Sequence, residues 1–94
     1  MNYAVKSGNR QHVQNTKDAI VARRDFKTSG ALRGENFGDR YEVFSYWACI
    51  AYWTEEDGWV RNSHRYSVTT GMHQSVVRAA LALAGVASRV EEWR

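Results

Sequence analysis

This chain of 94 residues predicts an α+β fold. The expected architecture is a small antiparallel β-meander of three to four strands, packed by a C-terminal amphipathic helix, with a short helix near the N-terminus. Three observations carry the expectation. Residues 41–53 read YEVFSYWACIAYW, a run of β-branched and aromatic residues too long for one straight strand. The polar stretch Thr54-Glu55-Glu56-Asp57-Gly58 then ends on Asp-Gly, a strong hairpin signal. Residues 71–84 place Met72, Val76, Ala80 and Leu83 on one helical arc, extended by Val77, Leu81 and Ala84.

Each element has its own justification. Residues 1–14 are polar with scattered apolar positions and are expected to be a flexible N-terminus. Residues 15–94 form the single α+β domain. Asn15 or Thr16 can cap a short helix over residues 17–25. Residues 26–38 hold Gly30, Gly34 and Gly38 and read as an irregular loop, with an extended piece near residues 31–33. In residues 41–53, Phe44, Tyr46, Ile50 and Tyr52 share one parity, and Val43, Trp47, Ala51 and Trp53 share the other. Both faces are therefore apolar, and a turn or bulge is expected near residues 46–48. A hairpin leads into a strand at residues 59–61, residues 62–65 turn, and residues 66–68 form the last strand. Thr69 or Thr70 caps the helix of residues 71–84, and Gly85 stops it. Residues 86–93 can resume as a short terminal helix.

Composition excludes several classes. At 44% hydrophobic and 13% aromatic residues the chain is globular, not disordered. A single cysteine, Cys49, rules out an internal disulfide and argues against a cysteine-based zinc site. It lies in an apolar run and reads as a small buried hydrophobe. No apolar run is long enough to span a membrane, and no secretory signal is recognisable, so a cytoplasmic protein without membrane contact is expected. The net charge of +3 is unevenly spread: residues 1–34 sum to +5, residues 35–63 to −4 and residues 64–94 to +2.

Several segments resemble a known family. Phe26-Lys27-Thr28-Ser29-Gly30-Ala31-Leu32-Arg33-Gly34 is similar to its first motif, and Tyr41-Glu42-Val43-Phe44-Ser45-Tyr46 with Ile50-Ala51 to its strand pair. Gly58-Trp59-Val60, Tyr66-Ser67-Val68-Thr69-Thr70 and His73-Gln74 match the rest. The resemblance covers residues 26–81 and is to a small domain family of unknown function from phages of actinobacteria, such as mycobacteriophages. One departure is visible: between the Tyr and the Ile-Ala the family usually carries a small or turn-forming residue and then Thr-Pro, where this chain has Trp47, Ala48 and Cys49. The resemblance implies a non-structural phage product acting in the host cytoplasm, and no reaction.

The candidate chemistry is sparse. Ser67, His64, His73 and the carboxylates supply the residue types of a hydrolase, but neither a nucleophile elbow nor a glycine-rich oxyanion loop accompanies them. His12, His64 and His73 match no metal-site spacing. No cofactor or metal is expected, and the chain is not expected to be an enzyme. His73 falls on the apolar arc and in the first helical turn, so it is read as a neutral core histidine bonded to a backbone or tyrosine oxygen.

Two function classes remain. The first is a phage regulatory or host-interaction protein that binds a host or phage protein, or a second copy of itself. Its anchors would be Trp47, Trp53 and Trp59 with the acidic residues Glu55 and Glu56. The alternative is a small DNA-binding accessory protein using the basic N-terminal third through Arg23, Arg24, Lys27 and Arg33. The acidic hairpin argues against base stacking on the tryptophans, so any nucleic-acid binding is expected to be weak.

Overall fold

The structure, a computed structural model, describes residues 9–28 and 30–94. Its first element is α1 (Asn9–Ala22), which starts well before the expected helix at 17–25. It takes in residues 9–14 of the stretch expected to be flexible; residues 1–8 of that stretch lie outside the described residues. The helix stops at Arg23, which adopts φ 56°. Its N–H donates to Ile20 O at 3.0 Å, and that of Arg24 to Ala19 O at 2.8 Å. This is the Schellman pattern. A left-handed conformation costs a non-glycine residue roughly 1–2 kcal/mol. The Arg23 guanidinium offsets part of that cost by lying 3.9 Å from the centre of the Trp53 ring.

Five strands follow: β1 (Phe26–Lys27), β2 (Leu32–Asn36), β3 (Arg40–Ser45), β4 (Ala48–Thr54) and β5 (Gly58–Asn62). Consecutive strands pair antiparallel. After α2 (Val68–Leu83) the chain returns as β6 (Ser88–Glu91), parallel to β5. The sheet thus has six strands in sequence order and is mixed, where three to four antiparallel strands were expected. The missed strands are β1, β2 and β6, of two, five and four residues; β1 and β2 lie in residues 26–38, expected as an irregular loop with an extended piece near 31–33. They exist because a neighbour supplies the hydrogen bonds, which local patterning cannot report. The region expected as a terminal helix is β6.

Residues 66–68 are not a strand. Ser67 is the N-cap of α2, and its side chain accepts from Thr70 N–H. The β-branched run Val68-Thr69-Thr70 is the first helical turn, so the expected Thr69 or Thr70 cap lies two or three residues too late. At the other end Gly85 adopts φ 70°, and the N–H groups of Gly85 and Val86 close onto Ala82 O and Leu81 O.

The expected turn at 46–48 is present between β3 and β4, and a bulge lies inside β4 as well. Val43 pairs with Ala51 but Phe44 with Cys49, leaving Ile50 as an extra residue. Both Ile50 and Ala51 are buried as a result, against simple alternation.

One sheet face carries the core. Leu32, Tyr41, Val43, Ile50, Ala51 and Trp59 pack with Ile20 of α1 and with Val77, Ala80 and Leu81 of α2. The helices pack on one another, and α2 packs on β4 and β5. The Tyr41 hydroxyl donates to Arg24 O at 2.7 Å, and burial pushes its ionisation well up.

The second face is covered by charge. Ion pairs two residues apart on a strand share a side. Three such pairs occur: Arg33–Glu35, Arg40–Glu42 and Arg89–Glu91. Arg33 lies 4.4 Å from the Phe44 ring centre and Arg40 4.1 Å from that of Tyr52. Trp93 packs against the other side of this patch, 5.4 Å from Tyr52. Phe44 and Tyr52 on this face are therefore roofed within the chain.

Candidate functional site

The four tryptophans have different fates. Trp59 is 3% exposed and meets Tyr41 edge-on at 5.8 Å. It is a core residue, which corrects its expected role as a surface anchor. Trp53 is half-buried against the core beneath Arg23. Trp93 meets Tyr52 at a tilt of 54°. Trp47 is 92% exposed at the tip of the turn between β3 and β4.

That turn is braced from its neighbour. Tyr46 adopts φ 58°, its N–H donates to Ala31 O at 3.1 Å, and its carbonyl accepts from Arg33 Nη1 at 3.1 Å. Trp47 and Tyr46 thus line a shallow pocket with Lys27, Gly30, Ala31 and Arg33. Lys27 and Arg33 face each other across β1 and β2. Parts of both expected sets meet here: one residue of the five in the protein-binding set and two of the four cations in the nucleic-acid set.

The rest of those sets lies elsewhere. Glu55 and Glu56 are exposed in the turn after β4, whereas Trp47 precedes it. A strand of seven residues separates them, about 20 Å at the usual rise. Arg23 is committed to Trp53, and Arg33 pairs with Glu35 at 2.9 Å. Arg24 is exposed. The four basic residues do not form one free patch.

The residues of the hydrolase reading are separated as well. Ser67 caps α2, and its hydroxyl donates to Thr70 Oγ1 at 3.3 Å. His64 Nδ1 lies 3.1 Å from Glu92 Oε2. His73 Nδ1 lies 2.7 Å from the Oγ of Ser45, a fully buried hydroxyl that also lies 3.0 Å from Thr70 Oγ1. The partner of His73 is thus a serine, not a backbone or tyrosine oxygen. Burial lowers the His73 pKa below its ordinary value. Only the backbone of His12 is described; its side chain lies outside the described residues. Cys49 is half-buried, and its thiol is pushed up to about 11 by burial first, then by Glu42. It is a poor nucleophile at neutral pH.

A second cleft was not anticipated. It lies between α2 and the segment joining β5 to α2, and its charged lining is Arg61, Arg65 and Arg78, with the His64 ring beside them. Gly71, Gln74, Ser75 and Arg78 line it from α2. Their spacing of three, four and seven residues is one polar helical stripe, legible in the sequence. What the stripe faces was not legible. Asn62 organises the cleft wall. Its Nδ2 donates to Cys49 O and Tyr66 Oη, and its Oδ1 accepts from the N–H groups of His64 and Trp93. Gln74 Nε2 donates to Asn62 O at 2.7 Å and His64 O at 3.1 Å, tying the segment to α2.

Among the described residues no group of three or more His, Cys, Asp or Glu is placed to hold a metal ion. Among them, too, no helix is long and apolar enough to cross a membrane.

No curated protein and no solved structure matches the chain. A family model described as a family of unknown function, DUF8033, matches residues 8–89. The match runs from α1 to the first residues of β6, and so includes the exposed tryptophan turn and the arginine cleft; the chain belongs to this DUF8033 family of unknown function.

Proposed function

We propose that this protein is a non-catalytic binding module that recognises another protein through the turn between β3 and β4. The observation that carries this reading is the 92% exposure of Trp47 on a turn hydrogen-bonded to the neighbouring strand. A large apolar ring in water is costly to keep, and a fixed one loses little entropy on docking. Aromatic anchors of this kind dominate binding energy at interfaces. Lys27 beside the ring favours a partner that offers an apolar side chain flanked by a carboxylate. In this reading Glu55, Glu56 and Trp53 are not part of the contact. The partner in this reading is a host or phage protein met in the cytoplasm.

The test compares wild type with Trp47→Asp in nuclease-treated host lysate and in sedimentation. A defined partner captured by wild type and lost with Trp47→Asp, at unchanged melting temperature, supports the proposal. Equal capture by both proteins overturns it. Concentration-dependent dimerisation lost with Trp47→Asp would identify the partner as a second copy.

A further inference from the structure

The cleft between α2 and residues 61–67 gathers cations from three separate elements. Arg61 comes from β5, Arg65 from the following segment and Arg78 from α2. Among the described residues no aspartate or glutamate lines it. Two acids are bonded to lining residues: Glu92 lies against the His64 ring, and Glu91 accepts from Ser63 through its carbonyl while its carboxylate pairs with Arg89. Other arginines of the sheet pair with carboxylates: Arg33 and Arg40 have one each and Arg89 has two. Arg65 and Arg78 are exposed and have no such partner among the described residues. Arg61 is steadied by donation from Nε to Ser88 Oγ at 2.9 Å, which leaves its two Nη groups for a ligand.

Like charges gathered in one concave place repel, and a chain seeking only stability would intersperse acids there, as it does on the sheet face. Guanidinium forks match phosphate oxygens two at a time. Of the remaining lining, Ser75 on α2 can donate to such oxygens, while Gln74, Ser63 and Ser67 give their protons to partners within the chain. The cleft is open rather than enclosed, which suits a linear polyanion passing through it better than a small molecule that must be surrounded. We infer that the cleft built by Arg61, Arg65 and Arg78 binds the phosphodiester backbone of a nucleic acid. This site is distinct from the basic N-terminal third and from the Trp47 turn.

Backbone binding reads charge spacing and not sequence, so affinity should depend on salt and little on base composition. The experiment is fluorescence anisotropy of a labelled single-stranded oligonucleotide and of its duplex, titrated with the full chain at several salt concentrations. Arg65→Ala/Arg78→Ala, with both residues exposed, should keep the wild-type melting temperature. It should weaken binding about tenfold or more and flatten the logarithmic salt slope by about 1.4 for single strands or about 1.8 for duplex. Adding Arg61→Ala should flatten it further. Arg24→Ala/Lys27→Ala should retain most of the affinity. Inorganic phosphate and pyrophosphate, matched for ionic strength, serve as competitors. No binding at high micromolar protein overturns the inference. So does an unchanged isotherm in Arg65→Ala/Arg78→Ala, or an equal loss in Arg24→Ala/Lys27→Ala. Tight capture of pyrophosphate without oligonucleotide binding would show a small-anion site instead and also overturn it.

Discussion

Ser45 Oγ lies 2.7 Å from His73 Nδ1, joining the end of β3 to the second turn of α2. Thr70 Oγ1 is 3.0 Å from the same Oγ, and Ser67 in turn donates to Thr70. With Ser67 donating first, each hydroxyl can donate to the next, and Nδ1 accepts from Ser45. This arrangement requires a neutral imidazole. It pins the sheet to the start of α2 with polar groups that are all satisfied.

A pH dependence follows from it. The folded pKa of His73 is lowered from its ordinary value of 6.5, because burial disfavours the charged ring. Below that value the unfolded chain takes up a proton that the folded chain refuses. Stability from this group is therefore complete above about pH 6.5 and is lost as the pH falls below it. Denaturant melts between about pH 7.5 and pH 5 should show this decline, and His73→Gln should flatten it. Parallel pH profiles for the two proteins would remove the assignment.

Asn62 should be among the most sensitive polar positions. Its side chain joins β4, the segment after β5 and the C-terminal residues through four hydrogen bonds. Asn62→Leu has a similar volume and leaves those buried groups unpaired. A loss of about 2–4 kcal/mol is expected. A change below about 0.5 kcal/mol by urea titration would show that water replaces the side chain without cost.

How far the sequence foretold this molecule varied by element. Residues 41–62 were legible because hairpins are local: Asp57-Gly58 and the over-long aromatic run mark both turns directly. The register of β4 was not, because a bulge at Ile50 changes parity without a local composition signal. Ser67 was misread because Tyr-Ser-Val-Thr-Thr has strand propensity, and only the cap bond to Thr70 N–H turns it into a helix start. β6 depends on a parallel pairing across the whole of α2, which no local window contains. The candidate site sets are divided by the fold for a similar reason. Trp47, Trp53 and Trp59 are equivalent in composition, but burial separates them. Arg61, Arg65 and Arg78 meet only through the crossover.

The two leucines near the end of α2 should behave oppositely. Leu81 is buried among core residues, while Leu83 is 76% exposed. Leu81→Ala should cost about 2–5 kcal/mol through lost burial and a residual cavity. Leu83→Ala and Arg78→Ala should stay within about 0.5 kcal/mol of wild type. Equal losses at Leu81 and Leu83 in denaturant melts would contradict the rotation of α2 on the sheet.

Gly34 tests the packing beneath β1. It pairs with Phe26 on one side and Val43 on the other, so its missing side chain points to the core face. A Cβ there would collide with the Tyr41 hydroxyl and the Phe26 ring. Tyr41 cannot retreat cheaply, being fully buried with its hydroxyl held by Arg24 O. Gly34→Ala should therefore cost about 1–3 kcal/mol. Gly30→Ala should be nearly neutral, since the closest atom to its Cβ would be Thr28 Oγ1 at 3.8 Å. Tyr41→Phe removes the colliding oxygen, so it should recover part of the Gly34→Ala loss although it sacrifices a hydrogen bond of its own. Strict additivity of the two changes in a double-mutant cycle would show that Phe26 alone sets the cost.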